Sequence, residues 1–155
     1  MVNIKKIKEM LTMSIFEVFE KMFYVFSEPL QSDGEGYQMK STIYFSGPVS
    51  GEIQILLTRA IAETMVKNML GLKEEEINEP IVADCVKESI NMICGNFVRK
   101  LDPERVFHLS IPTFEMLSKM IHHGQEGNEQ EVRLTFAAET GNMEVIMIAP
   151  SIIMM

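Results

Sequence analysis

The segment Asp84-Cys85-Val86-Lys87-Glu88-Ser89-Ile90-Asn91-Met92-Ile93-Cys94-Gly95-Asn96 holds four residues whose types and spacing suit chemistry: Asp84, Glu88, Asn91 and Gly95. An ionised carboxylate accepts hydrogen bonds and pairs with a cation, whereas a carboxamide both donates and accepts without ionising. On a helix, at about 100° per residue, the four fall in an arc about 60° wide. Glu88 and Asn91 stand at i and i+3, with Cβ atoms about 5–6 Å apart. Gly95 costs about 1 kcal/mol in a helix interior relative to Ala, which makes sense where another backbone or a partner loop comes close. Polar residues three apart on an outward helix face are ordinarily just solvated, so the spacing alone selects no reaction.

The element that must position them is a helix from Pro80 or Ile81 to Leu101, with Pro80 in its first turn and Asp102-Pro103 ending it. Val82, Val86, Ile90, Ile93, Phe97 and Leu101 form its core face, and the polar stripe is centred roughly 150° away. Around it the periodicity predicts a largely buried helix over Ile7–Ser27, closed by Pro29, and a loop over Ser32–Gly36. Strands at Tyr37–Phe45 and Gly51–Leu57 are joined by the turn Gly47-Pro48-Val49-Ser50-Gly51. That turn leads into a strand, not a helix N-terminus, so it is not a phosphate loop. Thr58 caps a helix Arg59–Leu70 that stops at Gly71, and Lys73–Glu76 is a solvated connector. Strands follow at Val106–Ile111, Glu131–Ala138 and Asn142–Ile148, with a polar loop through His122–Gly127. The expected fold is α+β, an antiparallel β-sheet packed against long helices, in a single domain over residues 1–155.

The chain has 155 residues, with 14 Lys+Arg against 22 Asp+Glu and a net charge of −8. Hydrophobic residues at 46% and charged residues at 23% fit a globular chain, not a disordered one. The acidic balance argues against nucleic acid, which needs clustered cations, and against an electrostatic membrane anchor. Met10–Phe26 carries Glu17, Glu20 and Lys21, and Val145–Met155 is too short to span a bilayer as a helix. Cys85 and Cys94 lie on one helix, roughly 13 Å apart at about 1.5 Å per residue, too far for a disulfide. With no metal-ligand spacing and no secretory signal, a reducing cytoplasm is the expected setting. His108, His122 and His123 lack the i, i+4 spacing of helical zinc pairs. Ser46 and Ser50 lack a nucleophile elbow. Cys85 and Cys94 are read as small packed residues.

The Asp84–Asn96 segment resembles the signature helix of the CheC/CheX/FliY phosphatases of bacterial chemotaxis: an Asp or Ser, a Glu four later, an Asn three after that, and a Pro further on, here Pro112. The run Phe45-Ser46-Gly47 to Gly51-Glu52-Ile53, the helix ending Asn68-Met69-Leu70-Gly71, and the Val132–Ala138/Met143–Ile148 hairpin are similar to the family too. The resemblance covers nearly the whole chain and is loosest at Met1–Ile7 and Leu117–Gln130. The Asn91-to-Pro112 spacing is slightly shorter than the family pattern. Glu17, Glu20 and Glu63 have no Asn three residues later, so there is one motif, which looks most like CheX.

The resemblance implies hydrolysis of the aspartyl phosphate of a CheY-type receiver domain, with Glu88 and Asn91 as the catalytic pair. Asn91 would orient the attacking water. Glu88 would pair with the receiver's lysine, general-base action being the competing assignment. Asp84 and Gly95 would contact the partner, although Asp84 could equally solvate or cap the first helical turns. Mg²⁺ would come from the receiver, leaving no intrinsic cofactor. The alternative is a non-catalytic binding module for a receiver or a flagellar switch component. Members of the family look like homodimers joined through strands, and Val145–Ile148 is a possible edge.

Overall fold

The structure, a computed structural model, describes residues 3–30, 36–121 and 131–149. Among the described residues three helices pack against a seven-stranded antiparallel sheet ordered β1-β6-β7-β3-β2-β4, with β5 also paired to β2. This is the α+β arrangement expected.

Helix α1 spans Ile4–Met22, and Asn3 Oδ1 caps it by accepting from the Lys6 N–H at 2.9 Å. It starts and stops earlier than the predicted Ile7–Ser27. Its end is set by Tyr24, whose φ of 53° reverses the chain, and by the Val25 N–H donating to the Phe19 carbonyl at 2.8 Å. Residues 27–30, read as the helix end and its Pro29 stop, are instead strand β1 (Ser27–Leu30), paired with β6. Phe26 is 68% exposed rather than part of the helix's buried stripe.

Strands β2 (Tyr37–Ser46) and β3 (Gly51–Leu57) form the expected hairpin, with Phe45 opposite Gly51. Helix α2 (Arg59–Leu70) is capped by Thr58 and ends at Gly71, whose φ of 65° suits a residue without Cβ. A single 3₁₀ turn, Glu74–Glu76, is the connector. Helix α3 (Glu79–Leu101) is capped by Asn78, whose Oδ1 accepts from the Ile81 N–H at 3.0 Å.

The expected strand Val106–Ile111 shrinks to β4 (His108–Leu109), leaving Val106 and Ile111 exposed. Strand β5 (Thr113–Ile121) was not anticipated; it pairs with β2. Strands β6 (Glu131–Ala138) and β7 (Gly141–Ile148) match the predicted hairpin. The Val145–Ile148 edge is overturned: β7 lies between β6 and β3 and is hydrogen-bonded on both sides. Its uninterrupted apolar run reflects burial on both faces of a central strand. The loop stretches 32–35 and 122–127 lie outside the described residues.

One cluster of buried side chains joins all three helices to the sheet, including Leu11 and Phe19 from α1, Met65 from α2, and Ile90 and Phe97 from α3. That cluster fixes how α3 is rotated, and with it the direction in which the polar stripe points.

Candidate functional site

Helix α3 packs against α1, α2 and the β2–β3–β5 region. Val82, Val86, Ile90, Ile93 and Phe97 are buried, Leu101 is half-buried, and the Phe97 ring meets Phe45 edge-on with centroids 6.2 Å apart. Ser89, polar but on the inward side, is satisfied by donating to the Val86 carbonyl at 2.6 Å. With this face held in the core, helical geometry turns the opposite one outward.

On that outward face Asp84 and Glu88 are exposed, and Asn91 and Gly95 are half-buried. The expected juxtaposition is present: none of the four is walled in, and Glu88 and Asn91 share one helical step. Asp84 does not cap the helix, since Asn78 does. Its Oδ1 lies 3.7 Å from Lys87 Nζ, with the Asp84 side chain 81% exposed, a solvent-screened pair of small energetic weight. Glu88 and Asn91 carry no side-chain hydrogen bond or ion pair to another described residue. A carboxylate and an amide are thus presented side by side with their bonding capacity unspent. The space a Gly95 Cβ would take is open, with only Arg99 Nη2 at 4.0 Å among the described residues. Packing among the described residues therefore does not require glycine there.

The flanks of the stripe are chemically quiet. Burial, reinforced by the Glu88 carboxylate, pushes the Cys85 thiol up to about 11, and burial pushes Cys94 up to about 12. Both stay protonated at neutral pH and are poor nucleophiles. They are packed, unbridged residues, as expected. Among the described residues no group of three His, Cys, Asp or Glu could hold a metal ion. His108 is exposed on β4, His122 and His123 lie outside the described residues, and Pro112 is half-buried between β4 and β5. Three clefts formed by described residues lie elsewhere: along the outer side of α1 (Ile4 to Phe16), between α1 and the end of α3, and beside β1. None is lined by Asp84, Glu88 or Asn91. The stripe is a convex ridge, suited to entering a pocket rather than forming one.

Residues 39–137 match the family model of the chemotaxis phosphatase CheX. The chain belongs to the CheX family. Asp84, Glu88, Asn91, Gly95 and Pro112 all fall inside the matched stretch, whereas α1 and β7 lie outside it.

Solved structures with the CheX fold agree. The chemotaxis protein CheX from Desulfovibrio desulfuricans is 20% identical, with 93% of this chain and 99% of that chain covered and a TM-score of 0.74. CheX from Vibrio vulnificus is 21% identical, covering 93% and 96%, also at 0.74. The CheX–CheY–BeF₃–Mg²⁺ complex from Borrelia burgdorferi matches at 18% identity over 92% and 96%, with a TM-score of 0.66. No curated relative matches the sequence. No helix among the described residues is long and apolar enough to cross a membrane.

Two side chains beside the stripe escaped the sequence reading. Lys87 pairs with Asp84, and Arg99 reaches over Gly95. Both follow from the i, i+3 and i, i+4 neighbour rule once it is extended from the acids and amide to the cations.

Proposed function

We propose that this CheX-family chain, as a single phosphatase domain in the cytoplasm, hydrolyses the aspartyl phosphate of a CheY-type receiver domain. The observation that carries the reading is the pair Glu88 and Asn91, unengaged and side by side on a convex helix face within the family match. A relative with the same fold has been crystallised with CheY, BeF₃ and Mg²⁺, which supports a receiver as partner and a metal brought by that partner.

Hydrolysis requires water to attack phosphorus in line with the departing aspartate oxygen while cations neutralise the phosphoryl oxygens. The receiver supplies Mg²⁺ and a lysine. This chain supplies orientation: the Asn91 amide holds the water through its carbonyl oxygen and NH₂ group, without needing to ionise. Positioning of this kind contributes several kcal/mol, at about 1.36 kcal/mol per tenfold in rate. The Glu88 carboxylate pairs with the receiver lysine and holds Asn91 in register. Asp84 and Gly95 flank the contact. A homodimer joined through strands would use β1 or the β4/β5 side, the strands at the two margins of the sheet.

The test is the decay of a phosphorylated CheY-type receiver from the same genome with and without the protein. The wild-type chain accelerates decay, and Asn91→Ala loses about 10²-fold of that acceleration while its circular dichroism stays native. Full acceleration in Asn91→Ala removes the assigned role. Binding with an unchanged phosphate lifetime would instead make the chain a non-catalytic receiver-binding module.

A further inference from the structure

Arg99 extends the outward stripe of α3 by one turn. Gly95 and Arg99 stand at i and i+4, and long helical side chains lean toward the helix N-terminus, so the guanidinium lies back over the turn that Gly95 leaves bare. Its Nη2 is 4.0 Å from where a Gly95 Cβ would be. Neighbouring cations are engaged: Lys100 Nζ is 2.9 Å from Glu17 Oε2, Arg105 Nε is 3.6 Å from Asp102 Oδ2, and Lys87 faces Asp84. Arg99 is exposed and forms no ion pair with a described residue. Beside it a cleft of about 320 Å³ opens between α1 and α3, lined by Glu17, Asn96, Arg99, Lys100 and Pro103. Since Glu17 is held by Lys100, the cleft offers a visitor mainly donors, on a chain whose net charge is −8.

We infer that Arg99, with Asn96 beside it, receives a surface carboxylate of the receiver next to its phosphorylation pocket, and that this second contact helps select which receivers dock. The inference rests on the phosphatase reading. A phosphoryl oxygen is the wrong occupant. The guanidinium, level with Gly95, is roughly 6 Å farther along the axis than Asn91 at about 1.5 Å per residue, so it cannot share the group whose water Asn91 holds. The stripe is therefore polar from end to end, acidic at Asp84 and Glu88 and cationic at Arg99. A receiver presenting a lysine and a carboxylate in the matching order docks in one register, whereas a shifted or reversed placement sets like charges together.

The experiment measures phosphoreceiver decay as a function of receiver concentration, and binding to the same receiver loaded with beryllofluoride and Mg²⁺. Arg99→Ala raises KM and Kd about fivefold, with kcat within about twofold, and flattens the salt dependence of Kd. Arg99→Glu raises them further, and Arg99→Lys recovers part of the loss. Arg99 also complements the C-terminal end of the helix dipole, so urea midpoints are taken alongside. A purely structural role would move the midpoint and leave the salt slope of Kd intact, which would overturn the inference. Unchanged KM and salt slope in an otherwise active Arg99→Glu protein, or a loss confined to kcat, would overturn it alone. A wild-type chain that neither binds nor dephosphorylates a receiver overturns the phosphatase reading and this inference with it.

Discussion

Gly95 occupies a helix interior in which alanine fits without displacing a neighbour, so its presence has a cost that folding does not require. Gly95→Ala is expected to raise stability by about 0.5–1 kcal/mol in urea unfolding. The same change should lower kcat/KM for phosphoreceiver decay, because the added methyl sits on the face proposed to meet the receiver. Stability gained together with activity lost is the pattern of a residue kept for a contact outside the chain. Cys85 and Cys94 make the opposite case, being arranged wholly for the interior. Their thiols are raised from 9.0 to about 11 and about 12, so the folded state keeps them neutral where the unfolded chain ionises them. That contribution is complete below pH 9 and is lost as pH climbs through 11 and 12. Unfolding free energy should therefore hold steady on this account up to about pH 9 and decline above it. The decline should shrink in a Cys85→Ala/Cys94→Ala double variant.

At the scale of elements, the corner between α1 and β1 is held from outside. Asn68 Nδ2, on α2, donates to the Phe23 carbonyl at 2.9 Å, and Tyr24 adopts a left-handed φ of 53°. Asn68→Ala should cost about 1 kcal/mol by denaturant unfolding. Tyr24→Gly should recover stability by relieving a conformation that bulky residues avoid. This corner also explains why α1 and β1 were hard to read. Val25 and Phe26 continue a helical spacing, so nothing local announces a stop, and the strand at residues 27–30 exists because β6 offers it an edge. Strand β5 is similar, its existence fixed by pairing with residues 37–42 of β2. By contrast, α2, α3 and the two hairpins carry their own signals: Thr58 and Gly71, Asn78 and Pro80, the Gly47–Gly51 turn, and the Gly141 turn. The placement of Asp84, Glu88, Asn91 and Gly95 was legible because they ride on such a helix, whose core face dictates the outer one. Arg99 stands four residues after Gly95 and so was within reach of the neighbour rule, but that its guanidinium lies over Gly95 and carries no ion pair to a described residue is shown by the coordinates.

Among the described residues the proposed pair Glu88 and Asn91 stands on an outward helix face and lines none of the clefts described above. On the proposed reading a ridge does not enclose a small phosphate ester, and the phosphate pocket with its metal would come from the partner. The chain alone should leave acetyl phosphate intact, with or without Mg²⁺, in an assay where a receiver's phosphate is lost quickly. Hydrolysis of acetyl phosphate by the chain alone would mean that it holds a pocket of its own.

Strand β7 comes after the other described strands, yet it takes its place in the middle of the sheet, with β3 on one side and β6 on the other. Synthesis therefore completes β1, the β2–β3 hairpin and β6 before the strand that joins them. Until residues 141–148 emerge, both halves present bare backbone edges beside apolar surface, the condition under which nascent chains stick to one another. Cooperative closure of this sheet must wait for those eight residues, and the newborn chain is most in need of a chaperone just before they appear.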